Sequence, residues 1–69
     1  MDETLIDRWV RARQAFTAAQ DIRDKMQAGR AAEAALRAMA EIELRMTEEE
    51  RREAWRRFEA WFRRYLASA

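Results

Sequence analysis

The stretch that decides the fold is residues 45–62, which read RMTEEERREAWRRFEAWF. Thr47 followed three residues later by Glu50 is the pattern of a capping box, in which each side chain bonds the backbone N–H of the other residue. Three consecutive acids at 48–50 also suit the first turn of a helix, because their negative charges interact favourably with the positive end of the helix dipole. We therefore predict a turn at 45–48 and a helix over about 48–67.

The predicted C-terminal helix carries an apolar stripe whose members are mostly three or four residues apart, so that they share one face. We interpret Phe58, Phe62 and Tyr65 as core residues, while Trp55 and Trp61 flank the stripe. Trp and Arg are enriched at the centres of protein–protein interfaces. The residues that we predict for partner binding are Trp55, Arg56, Arg57, Trp61 and Arg64.

The simpler interpretation of these arginines is a solvated helix face, with pairs such as Glu53–Arg57 and Glu59–Arg63. Binding to nucleic acid is a further hypothesis, in which a dimer would double the arginine face. The five glutamates in the same segment argue against it, because they would repel phosphates. A subunit or co-chaperone of a larger assembly is another alternative that the residues leave open.

The N-terminal segment has helical periodicity up to residue 46. Thr4 is the predicted cap of this segment, with Asp7 as its capping-box partner. A first stripe runs from Leu5 to Met26, and a second, from Leu36 to Met46, points roughly the opposite way. Either the chain bends near Gly29, its only glycine, or one long helix presents two faces to different partners. No Ser, Thr, Asp or Asn lies at 27–32 to cap a new helix, which favours continuity or a mild kink.

These segments predict an all-α helical hairpin in a single domain, 1–69, with a long arm over about 4–45 and a short arm over about 48–67. A long arm of about 42 residues exceeds what a short arm of about 20 can cover. Either a bend at Gly29 folds the first stripe back onto the chain, or a second chain covers it. We favour the second chain, so that the hairpins dimerise into a helical bundle. The residues predicted for the core or the dimer seam are Leu5, Trp9, Phe16, Ile22, Met26, Leu36, Met39, Phe58 and Phe62.

The composition favours helices and excludes most catalytic chemistry. The chain has no Pro and one Gly, and its commonest residues, Ala, Arg and Glu, are good helix formers. It has neither Cys nor His, so disulfides and the common zinc sites are absent, together with the commonest nucleophile and general base. There is no glycine-rich phosphate loop either. We expect no enzymatic activity, no cofactor and no metal.

The charge pattern predicts a water-soluble protein. Charged residues make up 39% of the sequence, yet the net charge is only +1. No apolar run is long enough for a transmembrane span, and the acidic residues 1–4 do not resemble a signal peptide. We therefore expect a cytoplasmic protein without a membrane partner.

The arm from Leu5 to Met46, the turn Thr47–Glu50 and the arm from Trp55 to Leu66 together resemble small accessory proteins of temperate bacteriophages. Within that group they are most similar to the phage-encoded anti-activators of quorum sensing. The resemblance covers the whole chain as a type and contains no motif, so it implies no site residues. It implies a dimeric helical hairpin that binds a LuxR-type transcriptional activator in the bacterial cytoplasm and blocks its DNA binding. Similar phage proteins act on type IV pilus assembly or as anti-CRISPR proteins, and both alternatives stay open.

Overall fold

The computed structural model describes residues 3–68, and over this range the chain consists of three α-helices without a strand. Helix α1 spans Leu5–Ala19, α2 spans Lys25–Glu43 and α3 spans Glu48–Ser68. The all-α prediction is confirmed, while the predicted domain limits, 1 and 69, lie outside the described residues. None of these helices is long and apolar enough to cross a bilayer.

Both predicted capping boxes form, and they place the starts of α1 and α3 where the sequence predicts them. The Thr4 hydroxyl accepts the Asp7 N–H at 3.1 Å, and the Asp7 carboxylate accepts the Thr4 N–H in return. At α3, the Glu50 N–H donates to the Thr47 hydroxyl at 3.1 Å, and the Thr47 N–H donates to the Glu50 carboxylate at 2.8 Å. Each box satisfies backbone donors that the first turn would otherwise leave unpaired.

The prediction of one long helical arm over 4–45 is wrong, because α1 ends at residue 19 and a new helix begins at residue 25. The N–H groups of residues 20–22 donate to carbonyls three residues earlier, which tightens the end of α1 into a turn. Asp24 then caps α2, its Oδ1 accepting the N–H groups of Met26 at 2.9 Å and Gln27 at 3.3 Å. Gly29 lies inside α2 and does not end it. The break therefore lies N-terminal to Gly29, at residues 20–24, and α2 starts from an aspartate five residues before the glycine.

Replacing Asp24 by alanine is expected to destabilise the protein by about 1 kcal/mol, because two backbone donors at the start of α2 lose their acceptor. Urea unfolding followed by circular dichroism would measure the loss. Gln27→Ala is the control, since it shortens an exposed side chain in the same turn and leaves the cap in place. Equal stability of the two variants would show that the cap does not hold this boundary.

Helix α1 lies between the other two helices, and α2 and α3 contact each other little. It runs antiparallel to α2, since Leu5 lies near Ile42 while Ala15 lies near Ala31. Small side chains line this contact and let the two helices approach closely. The alanines along it are Ala12, Ala15, Ala31, Ala34, Ala35 and Ala38.

The core contains residues from all three helices and from the turn before α3. Its buried members are Trp9, Met39, Ile42, Met46, Ala54 and Phe58. Trp9 is 2% exposed, and its indole N–H donates to Glu43 Oε1 at 3.0 Å, which pairs the one polar atom of a buried side chain. This bond also ties α1 to the last turn of α2.

The predicted core or seam residues fall into three groups. Trp9, Met39 and Phe58 are buried. A second group, Leu5, Phe16 and Phe62, is half-buried against them. The third group is exposed on the single chain and does not belong to its core, so a role in a dimer seam stays a prediction. It comprises Ile22, Met26 and Leu36. Because the chain reverses at 20–24, α2 and α3 cover the stripe of α1, and that stripe needs no second chain.

Candidate protein-binding surface

The aromatic side chains of α3 pack against one another and against Trp9 of α1. Ring centroids lie 5.1 Å apart for Trp9 and Trp55, and 6.4 Å apart for Trp9 and Phe58. Further along α3, Phe58 stacks on Phe62 and Trp61 stacks on Tyr65, as spacings of four residues on a helix allow. We call this set the aromatic array: Trp9, Trp55, Phe58, Trp61, Phe62 and Tyr65. It extends from the core to the surface, where Trp55 is 43% exposed.

Arg13 of α1 projects into this array. Its guanidinium carbon lies 5.1 Å from the ring centroid of Phe16, 5.3 Å from that of Trp55 and 5.2 Å from that of Phe58. A cation this close to an aromatic face is stabilised by about 0.5–2 kcal/mol, the more so where water is excluded. Three rings therefore hold the guanidinium in place.

No acceptor within residues 3–68 pairs with the Arg13 side chain, and its Nε is buried without a hydrogen bond. Arg13 as a whole is half-buried, and within residues 3–68 its two terminal nitrogens also form no hydrogen bond. A guanidinium offers a planar fork that matches a carboxylate with two parallel hydrogen bonds. The surface thus presents a fixed, charged donor beside a half-exposed tryptophan.

Arg13 was missed from the sequence, although one local signal points to it. It lies four residues after Trp9 and three before Phe16, so it shares the inward face of α1 with both. A charged residue within an apolar stripe is a candidate for a buried or half-buried polar contact. That the contact involves Trp55 and Phe58, more than 40 residues away, is visible only in the folded chain.

The five residues predicted for partner binding do not form one surface. Trp55 faces the array with its outer edge open, whereas Trp61 is half-buried. Arg56 follows Trp55 by one residue, which rotates it by about 100° around α3. Arg64 comes nine residues after Trp55, and this spacing places it about 180° away, on the other side of the helix. Of the five, only Trp55 adjoins Arg13.

The arginines of α3 are partly engaged within the chain. Arg57 pairs with Asp7 of α1 at 3.1 Å and with Glu53 at 3.2 Å, and Arg56 also pairs with Glu53. The predicted Glu53–Arg57 pair is therefore present, but within the described residues Glu59–Arg63 is not. Exposed pairs of this kind contribute about 0–1 kcal/mol each. Arg57 joins α1 to α3, so its substitution would lower stability slightly as well as alter the surface.

No protein-family model, curated protein or solved structure matches this chain. Within residues 3–68, no three His, Cys, Asp or Glu side chains are grouped as metal ligands would be. The site formed by Arg13 and Trp55, with Phe16 and Phe58 behind them, is the part of the described chain best suited to specific recognition. We call it the Arg13–Trp55 site.

Near its C-terminal end, α3 is joined to the turn after α1. The Tyr65 hydroxyl donates a hydrogen bond to Oδ2 of Asp21. This bond raises the pKa of Tyr65 above its ordinary value of 10.0, and partial desolvation and the negative charge of Asp21 act in the same direction. The stability that this hydrogen bond contributes is fully present below the ordinary pKa of tyrosine. It is lost as the pH rises through the raised pKa of Tyr65.

Asp21→Asn is expected to lower the alkaline titration midpoint of Tyr65 toward 10.0, because the phenol loses its anionic acceptor. Tyr65 is the only tyrosine, so the ultraviolet absorbance of its phenolate reports this one group. Glu59→Gln removes a charge elsewhere on α3 and is expected to leave the midpoint unchanged. A midpoint that Asp21→Asn does not move would show that the contact does not form in solution.

Proposed function

We propose that this chain is a non-enzymatic inhibitor that binds another protein through the Arg13–Trp55 site. The observation that carries the proposal is the Arg13 guanidinium, held by three rings beside a half-exposed tryptophan and without an ion-pair partner in residues 3–68. Residues that dominate binding energy are typically Trp, Tyr and Arg in well-packed surroundings that exclude water. Arg13 and Trp55 have that setting.

The partner is expected to present a carboxylate next to an apolar side chain. The carboxylate would accept hydrogen bonds from the terminal nitrogens of Arg13, and the apolar group would cover the open edge of Trp55. Because the aromatic rings already restrict the guanidinium, little side-chain entropy remains to be lost on binding. The surrounding rings also keep water away, which strengthens the charge–charge attraction.

The target proposed for this surface is a LuxR-type transcriptional activator of a bacterial host. In the host cytoplasm, the chain would bind the activator and block its binding to DNA. What supports this target is the resemblance to phage-encoded anti-activators, together with a small all-helical chain that presents a tryptophan. A pilus-assembly protein and a CRISPR component are the alternative targets for the same surface. Each would be recognised through the same side chains.

The proposed functional form is a homodimer. The reason is no longer the apolar stripe on α1, which is covered within the chain, but the exposed apolar side chains on and near α2. Helix α2 and the residues next to it leave several large apolar side chains in water. These side chains are Ile22, Met26, Leu36 and Leu44. A core this small gains from association, because a chain of this length rarely supplies more than roughly 3–5 kcal/mol by itself.

Substituting the Arg13–Trp55 site tests the proposal. Trp55→Ala is expected to weaken binding to a purified LuxR-type activator by about 30-fold or more, the loss typical of such a residue. Arg13→Lys keeps the charge and loses the planar fork, so it is expected to weaken binding as well. Calorimetric titration of nuclease-treated proteins would measure both affinities, and circular dichroism would confirm that each variant is folded.

Arg64→Ala is the control, since Arg64 lies on the opposite side of α3 from Trp55. If Trp55→Ala and Arg64→Ala bound the activator equally well, another surface would be responsible. Absence of binding by the unaltered chain would exclude this activator as the target, and capture from host lysate would then test the pilus and CRISPR components. Recovery of nucleic acid alone, lost on nuclease treatment, would contradict protein binding altogether.

A further inference from the structure

The outward face of α2 carries four side chains in one line, on the side opposite the buried Ala35. Met26 and Leu44 are eighteen residues apart, or about five helical turns, and therefore point the same way. Glu33 and Arg37 lie between them, within about 20° of that line on either side. Met26 is 70% exposed and Leu44 is 86% exposed, so the line has apolar ends that nothing in the described chain covers.

This line is symmetric about Ala35. Met26 lies as far before Ala35 as Leu44 lies after it, and the same holds for Glu33 and Arg37. A second copy of α2 laid antiparallel across the first would therefore place Met26 against Leu44 of the second copy. Glu33 would likewise meet Arg37 of the second copy. Two-fold symmetry repeats each contact, as an interface between identical surfaces requires.

We propose that this face of α2 binds the same face of a second copy of the chain, with the two helices antiparallel. The inference rests on the proposed function, in that it assigns a surface to the proposed homodimer. It also separates that surface from the Arg13–Trp55 site, which lies between α1 and α3. A dimer formed this way would leave both Arg13–Trp55 sites free for partners.

Charge decides the orientation of the two helices. In a parallel pair, Glu33 would face Glu33 of the second copy, and Arg37 would face Arg37. The antiparallel pair instead joins opposite charges at both positions. Within one chain Glu33 and Arg37 already pair at 3.0 Å, so association would give each charge a second opposite neighbour.

Gly29 leaves room for a close neighbour on α2. A glycine inside a helix costs about 1 kcal/mol compared with alanine. A Cβ built at Gly29 would meet no heavy atom of the described chain within 4 Å, so packing within the chain does not require a glycine there. Close approach of another backbone is a common reason for such a glycine. Gly29 lies about 60° from the line through Met26 and Leu44, so in the antiparallel pair it would flank the contact on the same side as the small Ala40 of the second copy.

Charge reversal tests the interface, with sedimentation equilibrium of the full chain at low salt as the measurement. The unaltered chain is expected to dimerise with a dissociation constant in about the micromolar range, because one helix pair is a small interface. Glu33→Arg or Arg37→Glu alone would put like charges together at two places and is expected to weaken association by about tenfold. An equimolar mixture of the two variants is expected to form a heterodimer, since each chain then supplies the charge that the other needs.

The double variant E33R/R37E is expected to associate like the unaltered chain, because it restores opposite charges across the two-fold axis. Glu48 and Arg52 provide a matched control on α3, where they form an exposed pair at the same spacing. Glu48→Arg and Arg52→Glu are expected to leave association unchanged. All these positions are exposed, and circular dichroism would show that each variant keeps its helices.

A monomer throughout the concentration range would overturn the inference. So would a dimer that Glu33→Arg and Arg37→Glu do not weaken, or one that the α3 controls weaken equally, because association would then use another face. Neither result would bear on partner binding by the Arg13–Trp55 site, which is measured separately. Conversely, a dimer with the expected charge dependence would stand even if no activator bound.

Discussion

Replacing Trp9 by alanine is expected to leave the protein largely unfolded at room temperature. Trp9 is 2% exposed, contacts the core cluster and packs against Trp55 and Phe58. Truncation of a buried Trp typically costs about 3–5 kcal/mol through lost burial and the cavity left behind. A core of this size rarely supplies more than roughly that amount. The variant also leaves Glu43 without the indole donor that links α1 to α2.

Thermal and urea unfolding followed by circular dichroism would measure this effect, with Trp55→Ala as the matched control. The control removes the same side chain from a position that is 43% exposed, so a smaller fraction of its area returns to water. We expect Trp55→Ala to unfold cooperatively at a reduced temperature and Trp9→Ala to show little cooperative transition. Similar melting of the two variants would mean that Trp9 is not at the centre of the core.

Enlarging Ala54 to leucine is expected to destabilise the protein by about 1–3 kcal/mol. Ala54 is 0% exposed and belongs to the core cluster, so a larger side chain there would extend into the core and not into water. Added methylenes in a packed core force neighbouring side chains off their rotamers or shift the backbone. Here the shift would move α3 away from α1 and loosen the contact on which the Arg13–Trp55 site depends.

Ala60→Leu is the control for Ala54→Leu, because Ala60 lies on the exposed side of the same helix. Surface changes away from special features are usually within about 0.5 kcal/mol of neutral. Urea unfolding of both variants would separate overpacking from any general effect of leucine on α3. A neutral Ala54→Leu would show that the core near Ala54 has room to accept a larger side chain.

A variant that keeps its fold and loses its partner is the most informative kind for this protein. Trp55→Ala meets this condition less cleanly than Arg13→Lys, because the Trp55 ring also touches Trp9. Arg13→Lys retains the charge and much of the length of the side chain, yet it lacks the fork that binds a carboxylate at two points. Binding lost by Arg13→Lys at unchanged stability would therefore identify the fork itself as the recognition element.

The sequence by itself determined the helical class and the starts of α1 and α3. Each capping box closes within three residues, at Thr4 and at Thr47, and depends on nothing outside its own turn. Asp24 belongs to the same class of signal and could have been found. The predicted break was placed near Gly29 instead, whereas a glycine inside a helix lowers stability without ending it.

The tertiary structure alone decided which faces are covered. The reversal at 20–24 folds α2 back along α1, and this turned the apolar stripe on α1 from an expected dimer seam into core. It also brought Arg13 to Trp55 and left the outward face of α2 in water. Helical periodicity shows which residues share a face, but it carries no information on what lies opposite that face. That neighbour depends on where the chain turns and on how the three helices pack, and both involve residues far apart in sequence.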